Sequence, residues 1–260
     1  ILYTGGGVIN AGPEASALLR ELAELTGAPV TSTLMGLGAF PASSPQWLGM
    51  LGMHGTYEAN LAMNKADLII NIGARFDDRV TGRLDAFSPT SKKIHIDIDR
   101  SSLNKTVMVD LGIVADAASA MTDIIAGWKA AGHKAADLEE WWARIAGWRA
   151  RQSLSYPESG SEIMPQRAIA DLFKATRGKD CIITTEVGQH QMWAAQHFGF
   201  DAPNKWLTSG GLGTMGYGFP AAIGAQMGNP DSLVICVAGD ASIQMNIQEL
   251  GTATQYRLPV

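Results

Sequence analysis

Short apolar runs ending in glycine or aspartate, each followed by a segment with helical spacing, recur along this chain and constrain its fold more than any other feature. ILYTGGGV at the start runs from an apolar strand into a glycine turn. A helix follows from about Pro13 to Leu25, with Leu18, Leu19, Leu22 and Leu25 on one face. APVTSTL reads as a second strand, and a glycine-rich stretch occupies residues 35–55. DLIINIG and KIHIDID are two further strands, and Asp116 is placed to cap the helix after it. Beyond residue 165 come a helix to about Thr176, the strand CIITTE and a long glycine segment that leads into a helix. The strand SLVICVAGD and a helix from about Asn246 complete the series. Alternation of this kind predicts an α/β fold of two consecutive parallel-sheet domains with helices on both faces.

Residues 1–130 are expected to form the first domain and 165–260 the second. Between them, 131–164 are expected to form a helix and linker. Leu138, Trp141, Trp142, Ile145 and Trp148 fall at helical spacing there, which suits a packing face better than a ligand box. Ser153–Ser161 is polar and reads as the linker proper.

With 46% hydrophobic and 17% charged residues, 260 residues can bury sizeable cores, and disorder is not expected. The longest apolar runs are broken by Gly, Asp or Asn well short of a membrane span. A net charge of -5 and the lack of a dense Lys/Arg patch argue against a nucleic-acid partner. Cys181 and Cys236 lie inside apolar strand-like runs and read as buried thiols in a reducing compartment. Residue 1 opens directly into a strand and residue 260 stops just after Leu258-Pro259, so both ends are expected to lie inside a longer protein.

Ligands of open parallel sheets bind beyond the carboxyl ends of the strands, and four polar features fall there. Gly5-Gly6-Gly7 would let backbone approach a diphosphate, although a tight turn explains three glycines equally well and the full GxGxxG spacing is missing. Asp97 ends a strand in which Ile94, Ile96 and Ile98 are expected to share one side. Its carboxylate could accept hydroxyl hydrogen bonds or simply cap a loop. RFDDRVTGR packs three arginines and two aspartates, either as a surface ion-pair cluster or with a spare guanidinium for a carboxylate. Gly239-Asp240-Ala241-Ser242 delivers a carboxylate to the end of a buried strand, suited to Mg²⁺ with phosphate oxygens or to capping the next helix. The histidines show no zinc spacing with the cysteines, and His95 and His133 read as structural.

SGGLGTMGYGFPAAIGAQ, GQHQMWAAQ and GDASIQMNIQEL resemble the diphosphate-binding domain of thiamine diphosphate enzymes. STLMGLGAFP, LGMHGTYEAN, RFDDRVTGR and HIDIDR resemble the central FAD-bearing domain of the acetolactate synthase family. The resemblance implies FAD contacts at Gly6, Gly7, Thr33, Leu34, Met35, His54, Gly55, Gly73, Arg75, Asp77, Asp97, Ile98 and Asp116. It implies a thiamine diphosphate cradle of Val187, Gly188, Gln189, His190 and Gly213, with Ala241, Ser242 and Met245 alongside. Asp240 corresponds to the Mg²⁺ ligand, Arg79 to an arginine near the second keto acid, and Met215 to the bulky side chain that bends the cofactor. Ala241 replaces the glycine of the family's Gly-Asp-Gly form.

The activity so implied is decarboxylation of pyruvate and condensation of the two-carbon unit with pyruvate or 2-ketobutyrate. That is the first common step of branched-chain amino acid biosynthesis. The cofactors implied are thiamine diphosphate, Mg²⁺ and FAD, with FAD in no net redox role. The partners implied are a homodimer or homotetramer of catalytic subunits, a regulatory small subunit, and neither membrane nor nucleic acid. The compartment would be the cytoplasm in a bacterium and a plastid or mitochondrion in a eukaryote. The activating glutamate and an Asn-Asn pair completing the metal site are expected outside these residues, so this stretch alone is expected to be inactive. The alternatives are a relative such as pyruvate oxidase or glyoxylate carboligase, or a non-catalytic nucleotide-binding module.

Overall fold

The computed structural model describes residues 1–158 and 160–260; Ser159, inside the linker expected across Ser153–Ser161, lies outside the described residues. The chain forms two compact units. The first comprises 1–154 with 201–203, and the second 155–200 with 204–260.

The first unit is built on a six-stranded, wholly parallel sheet: β1 (Leu2–Thr4), β2 (Val30–Ser32), β3 (Trp47–Met50), β4 (Leu68–Ile72), β5 (Lys92–Asp97) and β6 (Leu111–Val114). The spatial order is β3-β2-β1-β4-β5-β6. Strand order therefore reverses between β1 and β4, where Leu2 pairs with Ile70 and Thr4 with Ile72. Alternate residues of β1, β3 and β4 feed two separate cores. Leu2, Val30, Ile72 and Ile96 pack with Leu19 and Leu22 of helix Pro13–Thr26 and with Met121 and Ile125 of helix Ala117–Ala130. On the other face Tyr3, Leu48 and Ile69 pack with Ala59, Ala62 and Met63 of helix Tyr57–Lys65. Ile145 of helix Glu139–Arg149 joins that second core, with Trp141, Trp142 and Trp148 packed on its border. The tryptophan stripe is thus a packing face, and Trp142 Nε1 donates to Gly27 O at 3.1 Å.

Ile98 departs from expectation. β5 ends at Asp97, and Ile98 is 73% exposed rather than sharing the core side with Ile94 and Ile96. An Asx turn in which Asp97 Oδ1 accepts from Asp99 N–H at 2.8 Å ends the strand one residue earlier and turns Ile98 outward.

The second unit has a three-stranded parallel sheet, β8-β7-β9, made of β7 (Cys181–Thr185), β8 (Trp206–Thr208) and β9 (Leu233–Val237). Helices Pro165–Ala175, Gln189–His197 and Gly218–Gly228 accompany it. Cys181 and Cys236 are free; burial raises both thiols above the ordinary range, against the reactive thiolate form. No helix among the described residues is long and apolar enough to cross a membrane.

Candidate functional site

In the first unit the candidate residues follow the carboxyl ends of all six strands. At the reversal between β1 and β4 the two exits interlock. Gly7 N–H donates to Gly73 O at 3.0 Å and Gly5 N–H to Ile72 O at 3.1 Å. A Cβ at Gly5 would lie 2.4 Å from Gly73 O, and one at Gly7 would lie 2.6 Å from Gly73 Cα. Backbone packing alone therefore requires both glycines, while Gly6 faces only Met35, whose Cβ would be 3.3 Å away. Gly73 turns at φ 66°, and Asn71 locks the turn by donating to Ala74 O (2.7 Å) and accepting from Ala74 N–H (3.1 Å). This reversal of strand order is where open sheets of this kind form the crevice that accepts dinucleotides.

Thr33, Leu34 and Met35 leave β2 in a short 3-10 turn, with Met35 42% exposed. His54 and Gly55 lie in the loop after β3, which is tied to the β4 exit because Met53 N–H donates to Arg79 O at 2.7 Å. Asp97 and Asp116 follow the neighbouring strands β5 and β6. Asp97 Oδ1 closes the turn onto Asp99, and Asp97 Oδ2 stands 3.6 Å from the buried His95. Burial holds the His95 imidazole below its usual pKa, with Asp97 opposing. Asp116 caps helix Ala117–Ala130 through Ala118 N–H and Ser119 N–H.

Within RFDDRVTGR the ions sort themselves. Arg75 pairs with Asp77, and Arg83 pairs with Asp85 at 2.7 Å. Asp77 also accepts from Arg79 N–H at 2.9 Å. The Arg79 guanidinium forms no ion pair among the described residues, so it is the spare cation of the loop.

In the second unit three segments converge beyond β7 and β9. Val187 and Gly213 lie side by side, since a Cβ at Gly213 would sit 3.8 Å from Val187 Cγ1. His190, on the first turn of helix Gln189–His197, leans against both Gly188 and Gly239. A Cβ at Gly239 would be 2.9 Å from its Nδ1, and one at Gly188 would be 2.7 Å from its Cε1. Its Nε2 is buried without a partner among the described residues, and burial holds the imidazole towards its neutral form. Met215 is 40% exposed on the glycine segment, and Met245 approaches the adjacent Gly216.

Asp240 is exposed at the start of a short helix, and Gly239 is the cap. Ser242 performs the capping chemistry: its Oγ accepts from Gly239 N–H at 3.0 Å and donates to Gly239 O at 3.1 Å. The Asp240 carboxylate accepts no hydrogen bond and forms no ion pair among the described residues. Helix capping does not account for it. No group of three His, Cys, Asp or Glu side chains suited to a metal occurs among the described residues. One free carboxylate fits a Mg²⁺ held largely by phosphate oxygens rather than by a protein cage.

Sequence reasoning did not single out Glu186. It follows β7, is fully buried, and accepts from Gly216 N–H (2.6 Å) and Phe219 N–H (3.0 Å). Its one sequence signal is a carboxylate closing the apolar run CIITTE.

Residues 1–124 match the family model described as thiamine pyrophosphate enzyme, central domain, and 186–260 match that of the C-terminal TPP binding domain. The two matches cover well over half of the chain. The chain belongs to the thiamine pyrophosphate enzymes. Its relatives within that family include the acetolactate synthase isozyme 3 large subunit of Escherichia coli, 50% identical over all of this chain and 45% of the relative. The acetolactate synthase large subunit of Haemophilus influenzae is 49% identical with the same coverage. That of the alga Cyanidium caldarium is 45% identical over 44% of its own length. The chain thus spans less than half the length of these thiamine pyrophosphate enzymes.

Proposed function

We propose that the full-length protein is an acetolactate synthase large subunit. It would join the two-carbon unit of pyruvate to a second pyruvate or to 2-ketobutyrate, using thiamine diphosphate, Mg²⁺ and FAD. The observation that carries this reading is the Asp240 carboxylate just beyond β9, with no hydrogen bond or ion pair among the described residues, beside the converging Val187–His190 and Gly213–Met215 segments, in a chain about half identical to such subunits throughout.

Thiamine diphosphate, when bound, supplies the carbanion chemistry that breaks and forms the carbon–carbon bonds. Asp240 would hold Mg²⁺ against the diphosphate, with Gly188, Gln189, Ala241 and Ser242 bordering it. His190, kept neutral by burial, can donate or accept there without adding charge. Met215, with Met245 beside it, presents the apolar surface on which the cofactor would bend. In the first unit the crevice at Gly6, Gly7 and Gly73 would hold FAD, with Thr33–Met35, His54, Gly55, Arg75, Asp77, Asp97, Ile98 and Asp116 along its length. FAD there serves architecture. A small subunit would join the full-length protein, a reading supported by the naming of the relatives as large subunits, and the catalytic subunits would themselves associate as a homodimer or homotetramer.

The test is direct. Full-length protein supplied with pyruvate, thiamine diphosphate, Mg²⁺ and FAD should form acetolactate without consuming oxygen, and 5-deaza-FAD should sustain the same turnover. Oxygen uptake in place of acetolactate would assign an oxidase instead. Arg79→Ala should impair use of the second keto acid, because its guanidinium has no ion pair among the described residues and suits a carboxylate. The expected loss in kcat/KM is roughly tenfold or more; unchanged steady-state kinetics would return Arg79 to a surface role.

A further inference from the structure

The glycine segment that carries Met215 is held by two side chains from different parts of the second unit. Gly216 N–H donates to Glu186 Oε2 at 2.6 Å. Gly216 O accepts from Asn246 Nδ2 at 2.5 Å. The other Glu186 oxygen accepts from Phe219 N–H at 3.0 Å, at the start of helix Gly218–Gly228. Gly216 has φ 93°, and a Cβ there would lie 2.6 Å from Asn246 Nδ2 and 3.1 Å from Met245 Cβ. The residue is therefore gripped at both ends in a conformation that only glycine adopts readily.

Glu186 forms no ion pair among the described residues, yet it is wholly buried. Burying a carboxylate is costly unless hydrogen bonds compensate it. Here two backbone donors do so, and one belongs to the residue directly after Met215. A neutral apolar side chain would fill the same space without that cost but would leave the Gly216 peptide free to rotate.

We propose that Glu186 and Asn246 are positioning residues that clamp the two peptide groups on either side of the Gly216 Cα and so fix the direction in which Met215 projects. This rests on the reading above that Met215 shapes thiamine diphosphate for reaction. Neither side chain need touch the cofactor or the substrate, since both act through the backbone.

The experiment uses Glu186→Gln and Asn246→Ala in the full-length holoenzyme, with Met215→Ala as reference. Gln keeps the shape of Glu186 but has one acceptor oxygen, so one of the two backbone donors loses its partner. Asn246→Ala removes the grip from the other end and leaves the strands untouched, which covers the case in which Glu186→Gln fails to fold. Amide hydrogen exchange should accelerate at Gly216 in Asn246→Ala and at Gly216 or Phe219 in Glu186→Gln, independently of any activity. The kcat should fall on the order of tenfold or more, with KM for pyruvate little changed, in the same sense as for Met215→Ala. Unaltered exchange at these amides in the folded variants would overturn the clamp. Faster exchange with unchanged kcat would overturn its role in positioning Met215. Wild-type protein that binds thiamine diphosphate but makes no acetolactate would refute the proposed function, while the exchange data would still decide the clamp.

Discussion

Asp240→Ala in the full-length protein should abolish turnover by removing the metal and, with it, most of the affinity for thiamine diphosphate. Even residues that merely orient metal ligands typically cost 10–100-fold when replaced. Loss of a ligating carboxylate should therefore exceed about 100-fold in activity at modest Mg²⁺ and cofactor. The fold should be unaffected, because this carboxylate accepts no hydrogen bond among the described residues and the cap of the following turn is made by Ser242. Isothermal titration with thiamine diphosphate and Mg²⁺, beside a melting curve, separates the two effects. Near-normal affinity in the variant would remove Asp240 from the metal site.

Gly7→Ala should be strongly destabilising. The added methyl would lie 2.6 Å from Gly73 Cα and 2.9 Å from Gly73 O, both backbone, at the point where β1 and β4 pair. No side chain can swing aside, so the two central strands must part or the turn at Gly73 must break. Overpacking of this kind costs about 3 kcal/mol, equivalent to a fall in Tm of roughly 6–12 °C for a unit of this size. Gly127→Ala is the contrast. It lies within helix Ala117–Ala130 with nothing near its Cβ position, and alanine there should stabilise by about 0.5–1 kcal/mol. Similar melting of both variants would mean that the β1–β4 crevice yields more readily than its geometry indicates.

Much of this architecture was legible in the sequence because the inner strands, and β9 at the edge of the second sheet, carry dense apolar patterns. Leu2–Thr4, Val30–Ser32, Leu68–Ile72, Lys92–Asp97, Cys181–Thr185 and Leu233–Val237 all fall within segments read as strands. The three that escaped, Trp47–Met50, Leu111–Val114 and Trp206–Thr208, are edge strands of four residues or fewer. An edge strand has one neighbour and needs less apolar surface; Leu111 and Val114 are 50% and 52% exposed. Strand order was not readable, since pairing of Leu2 with Ile70 leaves no local trace.

Among the candidate residues, those at strand ends could be found because a polar residue closing an apolar run is conspicuous. Whether Asp240 was a cap could not be decided without the hydroxyl of Ser242 in place. The division of labour in RFDDRVTGR likewise needed coordinates: Arg75 takes Asp77, Arg83 turns to Asp85 beyond the segment, and Arg79 has no ion pair among the described residues. Glu186 escaped because its partners, Gly216 and Phe219, lie about thirty residues downstream.

The strand order of the first unit also bears on how the polypeptide reaches its native state. β1 is the first strand of its sheet to be made but one of the two innermost, and its partner β4 is centred on Ile70. At ribosomal speeds of roughly 5–20 residues per second, β4 emerges about 3–14 s after β1. Until then β1 can pair only with β2, and Tyr3, fully buried in the finished sheet, lacks the Ile69 side of its core. Long-range parallel pairing is slow and leaves strand edges open meanwhile. Nascent chains stalled before residue 68 should therefore be protease-sensitive and chaperone-dependent, and those extending past helix Ala117–Ala130 should acquire resistance in a single step.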